Sequence, residues 1–309
     1  MKKLVSAAVF SLLTISPSFA ANVVIDHYMG KTELEQSPKR VVVIGFGPLD
    51  ALDNFGIDPV AVSNASHLPS YLSKYSKENY TSAGSLFEPD FEAIYMQKPD
   101  LILVGPRGSA KYEELSEIAP TVVFAAKEGE GYWEGTQAQW RNIGKIFNIE
   151  DKVEQKIETL DAQFKAIRDY NQTNNNDALT ILSIGDNISA FGAKSRFGAI
   201  YNDFGFIETV KNIKTGTHGD VISYEFIREA DPKNILVIDR NSLHAKPSQD
   251  LRKSMDNDLV KATTAYKNQK ITFLDVDAWY LAMSGVTATE KNGQRDQKHR
   301  RSLSPASRG

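Results

Sequence analysis

The stretch KTGTHGDVISYEF, residues 214–226, sets one of the chain's five histidines, His218, between Thr217 and Gly219. An imidazole in so small and mobile a setting reads as a metal ligand, a base or a solvated side chain. Gly216 and Gly219 permit backbone angles that let something bulky come close. Tyr280, in DAWYLAMSG, follows the apolar run ITFLDV. Three arginines have the same kind of address. Arg107 comes after LILV, Arg196 lies in AKSRFGAIYNDFG ahead of an expected helix, and Arg240 ends ILVIDR. Residues just past strand ends converge on one edge of an α/β sheet. Three guanidiniums meeting there suit a planar anion with many oxygens, the group arginine binds best. The alternative for each arginine is a surface position or a carboxylate partner such as Asp239.

The elements that would carry these residues occur twice. FEAIYMQKPDLILVG (91–105) and YEFIREADPKNILVID (224–239) each hold a glutamate, Glu92 or Glu225, in a short helix. A proline follows seven residues later, Pro99 or Pro232, and then an apolar run. The prolines stop the helices, and the runs 101–104 and 235–238 read as buried parallel strands. RVVVIGFGPLDALDNFGI (40–57) and residues 178–206 form a looser pair, each a strand, a loop and a helix closed by Phe-Gly. Between the halves, Val153, Ile157, Leu160, Phe164 and Ile167 recur at intervals of three and four, which predicts a helix with one apolar stripe. The expected fold class is α/β: two Rossmann-like lobes with parallel-type sheets, joined by one long α-helix, with the ligand cleft between them. The expected boundaries are a leader at 1–20, a first lobe at 21–148, the connecting helix at 149–172, a second lobe at 173–290 and a tail at 291–309. Such a connector is stiff, so small lobe motion is expected.

The opening MKKLVSAAVFSLLTISPSFA has a basic start, an apolar run and small residues at a cleavage site, the pattern of a secretory signal peptide. With no cysteine there is no lipid-anchor cysteine, disulfide framework or thiolate metal site. An exported, unanchored protein of the periplasm is expected. Without Lys2, Lys3 and residues 291–309, the chain carries 28 basic and 38 acidic residues. That acidic body argues against nucleic acid as a partner. The tail is basic and without periodicity, so disorder is expected there. The amphipathic helix that would close a second lobe after residues 279–290 is expected to be missing or replaced.

No enzyme signature emerges. Gly45 and Gly47 begin a dinucleotide fingerprint, but Asp50 stands where the third glycine belongs. GPRGSAK lacks phosphate-loop spacing, and there is neither a Gly-x-Ser-x-Gly elbow nor a helical His pair.

Taken together, SRFGAIYNDFG, GTHGDVISYEF, ILVIDRN and WYLA have the order and nearly the spacing found in periplasmic ferric-siderophore binding proteins of ABC importers. The chain resembles the catecholate-binding branch of that family from about Val23 to Ser284. The resemblance implies that His218 and Tyr280 bind iron directly and that Arg107, Arg196 and Arg240 contact catecholate oxygens. It further implies that Glu92 and Glu225 dock on an inner-membrane permease with its ATPase. The implied protein is a non-enzymatic monomer with no cofactor of its own, carrying Fe(III) as the siderophore complex. Fe(III) favours oxygen donors and accepts imidazole. A tetradentate bis-catecholate leaves two of six positions for one phenolate and one imidazole, and a hexadentate ligand leaves none. The alternative is a haem carrier using the same tyrosine or histidine. A hydroxamate complex, often neutral or cationic, suits three arginines less well. A reductase would need the missing fingerprint, and a zinc or manganese carrier would need more clustered histidines.

Overall fold

The structure is a computed structural model that describes residues 21–127, 129–213, 219–243 and 251–293. The expected leader (1–20), His218 and tail residues 294–309 lie outside the described residues.

The first lobe opens with a hairpin, β1 (Asn22–His27) and β2 (Gly30–Glu35), paired antiparallel. Then come β3 (Val41–Ile44), α1 (Phe46–Phe55), β4 (Ala61–Val62), β5 (Thr81–Ser82), α2 (Phe91–Met96) and β6 (Leu101–Val104). After α3 (Tyr112–Ser116), β7 (Thr121–Val123) and α4 (Tyr132–Phe147) complete the lobe. Its five-stranded sheet runs β5-β4-β3-β6-β7, parallel throughout. All four residues of both β3 and β6 are buried, as befits central strands covered on two faces.

The connector α5 spans Glu150–Thr173, about 36 Å at 1.5 Å per residue. Its buried residues are the five of the expected stripe, with Asn171 added. Asn171 is satisfied there, donating to the Phe204 carbonyl (2.8 Å) and accepting from Asn176 (3.0 Å).

The second lobe contains β8 (Asp177–Ile184), β9 (Asn187–Phe191), α6 (Ala199–Asn202), β10 (Ile207–Glu208), β11 (Asp220–Ile222), α7 (Tyr224–Ala230) and β12 (Ile235–Asp239). Three one-turn helices follow, α8 (Leu251–Ser254), α9 (Asp258–Lys261) and α10 (Thr264–Lys267), and then β13 (Ile271–Phe273). The sheet order is β11-β9-β8-β12-β13. Strands β8, β12 and β13 are parallel; β9 runs antiparallel to β8, because β8 turns back at once through Gly185 and Asp186, and β11 pairs antiparallel with β9. The second sheet is therefore mixed.

The repeat extends to the backbone. Asp90 caps α2 by accepting from the Ala93 N–H, and Ser223 caps α7 by accepting from Phe226. Glu92 and Glu225 are both second residues of their helices. Lys98 (φ 48°) and Asp231 (φ 41°), immediately before Pro99 and Pro232, both adopt the left-handed conformation.

The last described residues form a further helix, α11, at 286–293. The closing helix expected to be missing or replaced falls after residue 290; α11 starts inside 279–290 and continues through 291–293, and residues 294–309 lie outside the described ones. Helix α11 docks on the first lobe. The carboxylate of Asp50, in α1, accepts from the N–H groups of Thr287 (3.1 Å) and Ala288 (2.9 Å), a cap supplied from a distant helix. Gly285 lies so close to that carboxylate that a Cβ would collide with it. Lys156 in α5 pairs with Glu290 at 2.6 Å. Asp50 is fully buried, and burial pushes its carboxyl up to about 6 against the lowering effect of the two N–H donors.

Candidate ligand-binding cleft

Tyr280 sits in a single π-helical turn, Asp277–Leu281, directly beyond β13. Such turns are rare and frequent at functional sites, because the wider ladder leaves carbonyls to be claimed from outside. Here two of them are claimed by arginines. Arg107, in the loop after β6, donates to the carbonyls of Tyr280 (2.8 Å) and Leu281 (3.3 Å). Arg196, in the loop before α6, donates to the same Tyr280 carbonyl (3.2 Å) and lies 3.6 Å from the Met283 sulfur. Arg240 begins the turn that leaves β12.

All three guanidiniums face the Tyr280 ring, at 5.5 Å for Arg107, 4.8 Å for Arg196 and 5.6 Å for Arg240 from its centroid. One comes from the first lobe and two from the second. Among the described residues none of the three has a carboxylate within ion-pair distance, so the Asp239 pairing considered for Arg240 does not form. Asp239 instead accepts from Ser183 at 2.6 Å. Burial pulls the pKa of Arg107 below its usual value, with the charge of Arg240 adding to the effect and Tyr280 opposing it. Arg196 is lowered by burial and then by the charge of Arg107. A half-buried cluster of like charges without a counter-charge is costly unless an anion is supplied from outside.

The cluster floors a cleft between the lobes. A pocket of about 440 Å³ is lined by Phe46, Pro48 and Phe124 from the first lobe and by Arg196, Tyr280 and Met283 from the second. A smaller one of about 220 Å³ is lined by Ser66, His67, Arg240 and Tyr280.

Other expected positions lie elsewhere. Glu92 and Glu225 are exposed on their helices, one per lobe. His218 is outside the described residues; Gly219, the first described residue after it, has φ 68° and packs on the Phe191 ring with no room for a side chain. Among the described residues no cluster of three or more His, Asp or Glu side chains could hold a metal ion. None of the described helices is long and apolar enough to cross a membrane.

His67, which lines the smaller pocket, is among the cleft residues that escaped the sequence reading. His67 Nε2 lies 2.9 Å from Asp277 Oδ1, and the Ser70 N–H donates to Asp277 Oδ2 (3.1 Å). Together they tie a first-lobe loop to the turn that carries Tyr280. The usable clue was the polar loop SNASHLPS after an apolar pair, since loops beyond strand ends line such clefts.

Two α/β lobes on a long helix, with an uncompensated cationic cleft between them, are the geometry of a protein that captures a solute. A sequence profile of the periplasmic binding protein family matches residues 41–278. The chain belongs to that family, whose members bind substrates for transport and are not enzymes. The crystal structure of the periplasmic catecholate-siderophore binding protein VctP from Vibrio cholerae superposes with a TM-score of 0.87 at 58% identity, covering 90% of this chain and all of that one. The petrobactin-binding protein YclQ of Bacillus subtilis is 37% identical over 267 residues, 85% of this chain and 84% of that protein. The YclQ crystal structure superposes with a TM-score of 0.84. The ferric-anguibactin-binding protein FatB of Vibrio anguillarum is 32% identical over 271 residues, 86% of this chain and 84% of its own.

Proposed function

We propose that this protein captures a ferric catecholate siderophore in the periplasm and hands it to an inner-membrane ABC permease. The observation that carries the reading is the trio Arg107, Arg196 and Arg240 around Tyr280 with no carboxylate among them. Four catecholate oxygens outweigh the charge of Fe(III), so the complex is an anion that supplies the missing counter-charge. The similarity to VctP and YclQ, named for a catecholate siderophore and for petrobactin, points the same way.

In this reading the cargo iron of a tetradentate bis-catecholate takes its last two ligands from the protein, the Tyr280 phenolate and the His218 imidazole. A histidine on a glycine-flanked loop swings onto a metal that arrives with its own ligands. A hexadentate tris-catecholate offers no open position and is held by the arginines alone. Glu92 and Glu225, displayed at matching positions on α2 and α7, are the docking pair for permease arginines.

A visible-absorption and tryptophan-quenching titration tests this. Trp279, beside Tyr280, is the natural reporter. The expected result is saturable quenching by a ferric bis-catecholate with a shifted charge-transfer band, and none by iron-free catecholate. Saturable haem binding with silence toward the ferric catecholate would assign the cleft to porphyrin instead.

A further inference from the structure

The bond from Arg107 to the Tyr280 and Leu281 carbonyls runs across the cleft and divides it. The two compartments share Leu86, Arg107, Tyr280 and Leu281 and otherwise differ in chemistry. The smaller carries more polar side chains, Asn64, Ser66, His67, Ser85 and Arg240, beside Phe87 and Leu243. The larger is walled by Phe46, Pro48, Phe124, Ala125 and Met283. Its one uncharged amide side chain is Gln139, from α4, which is 5% exposed. Gln139 Nε2 donates to the Gly135 carbonyl (2.9 Å), while Oε1 is buried with no hydrogen-bond partner among the described residues.

We propose that the larger compartment is a subsite for the organic part of the ligand: an apolar arm carrying an N–H donor, as in an amide-linked alkyl or aryl spacer. This rests on the ferric-catecholate reading and deepens it. Apolar walls gain by taking hydrocarbon out of water. A buried acceptor without a partner is costly, and a ligand N–H relieves it through a small rotation of the glutamine side chain. Arg107 and Arg196 also line this compartment, so the anionic oxygens stay with the guanidiniums while the apolar walls and Gln139 read the arm. Compact polycarboxylate complexes such as ferric citrate supply the charge without the arm and are selected against.

The test compares three ferric ligands: a bis-catecholamide with an alkyl spacer, the matching ester-linked compound that lacks the N–H, and simple catechol with no spacer. Ala125→Phe, which narrows the compartment, is expected to raise the Kd of the spacer-bearing complex about tenfold and leave the spacer-free complex within about twofold. The amide-to-ester change is expected to weaken binding to the wild-type protein about fivefold but not to Gln139→Leu, which has lost the acceptor. Because the second comparison uses a near-isosteric variant, it stands even where Ala125→Phe does not fold. Equal weakening of all three complexes by Ala125→Phe, or indifference of the wild-type protein to the ester, overturns the subsite while leaving the catecholate reading intact. A wild-type protein that binds none of the three overturns both.

Discussion

Trp279 and Tyr280 are neighbours with opposite roles. Trp279 is 2% exposed and meets Phe204 edge-on at 5.8 Å, which is packing. Tyr280, one step along the π-turn, lines the cleft beneath three guanidiniums. The substitutions follow from this split. Arg240→Ala is expected to weaken tetradentate and hexadentate ferric catecholates alike by about 1.5–3 kcal/mol, a lost charge-assisted hydrogen bond, measured by fluorescence titration. No loss on either ligand would remove Arg240 from the site. Arg107→Ala should match that loss and also lower the melting temperature, because it breaks the bonds to the Tyr280 and Leu281 carbonyls. Tyr280→Phe and His218→Ala should weaken the tetradentate complex far more than the hexadentate one. Equal losses on both would sink direct iron coordination.

Helix α11 shows what a buried acid does at the scale of an element. The Asp50 carboxyl holds its proton to about pH 6 in the folded chain, against an ordinary value near 4 when unfolded. Between those values the folded state binds more protons, so this group's contribution to stability falls as pH rises from about 4 to about 6 and is level above. The span corresponds to about 3 kcal/mol at most. Denaturant melts of the wild type and Asp50→Asn across that range should give a difference that declines with pH, and a constant difference would mean Asp50 does not titrate in the window. The same helix marks where the sequence stops being legible. The α5 stripe, the strands 101–104 and 235–238 and the paired glutamate helices could be read because apolar period and proline stops mark them locally. In α11 the buried positions include Ala288, Thr289 and Asn292, too small or polar to make a stripe. Their burial depends on first-lobe residues far away in the chain. Strand β9 was missed for a related reason, since its direction is set by the Gly185–Asp186 turn and not by composition. At the cleft, residues past strand ends could be named from the sequence, whereas Gln139 and Phe124 come together only through tertiary packing.

Across the whole molecule, edge-on and tilted aromatic contacts form a continuous ladder. It runs from Trp140 to Trp133 (5.6 Å), Phe164 (4.8 Å), Phe204 (4.9 Å) and Trp279 (5.8 Å), from α4 through α5 to the turn bearing Tyr280. One apolar core therefore spans both lobes. With α5 as a strut and α11 strapped across to α1, wide hinge closure would have to tear packed rings apart. Small-angle scattering curves of the free and loaded protein should superimpose, and a marked shrinkage on loading would show that the lobes close after all. The docking of α11 also sets an order of events during synthesis. Asp50 receives its N–H partners from residues 237 and 238 positions further on. The lobe that leaves the ribosome first is thus the lobe finished last, and a nascent chain lacking residues 287 and 288 leaves the Asp50 carboxylate with only the neighbouring Asn54 amide to hold.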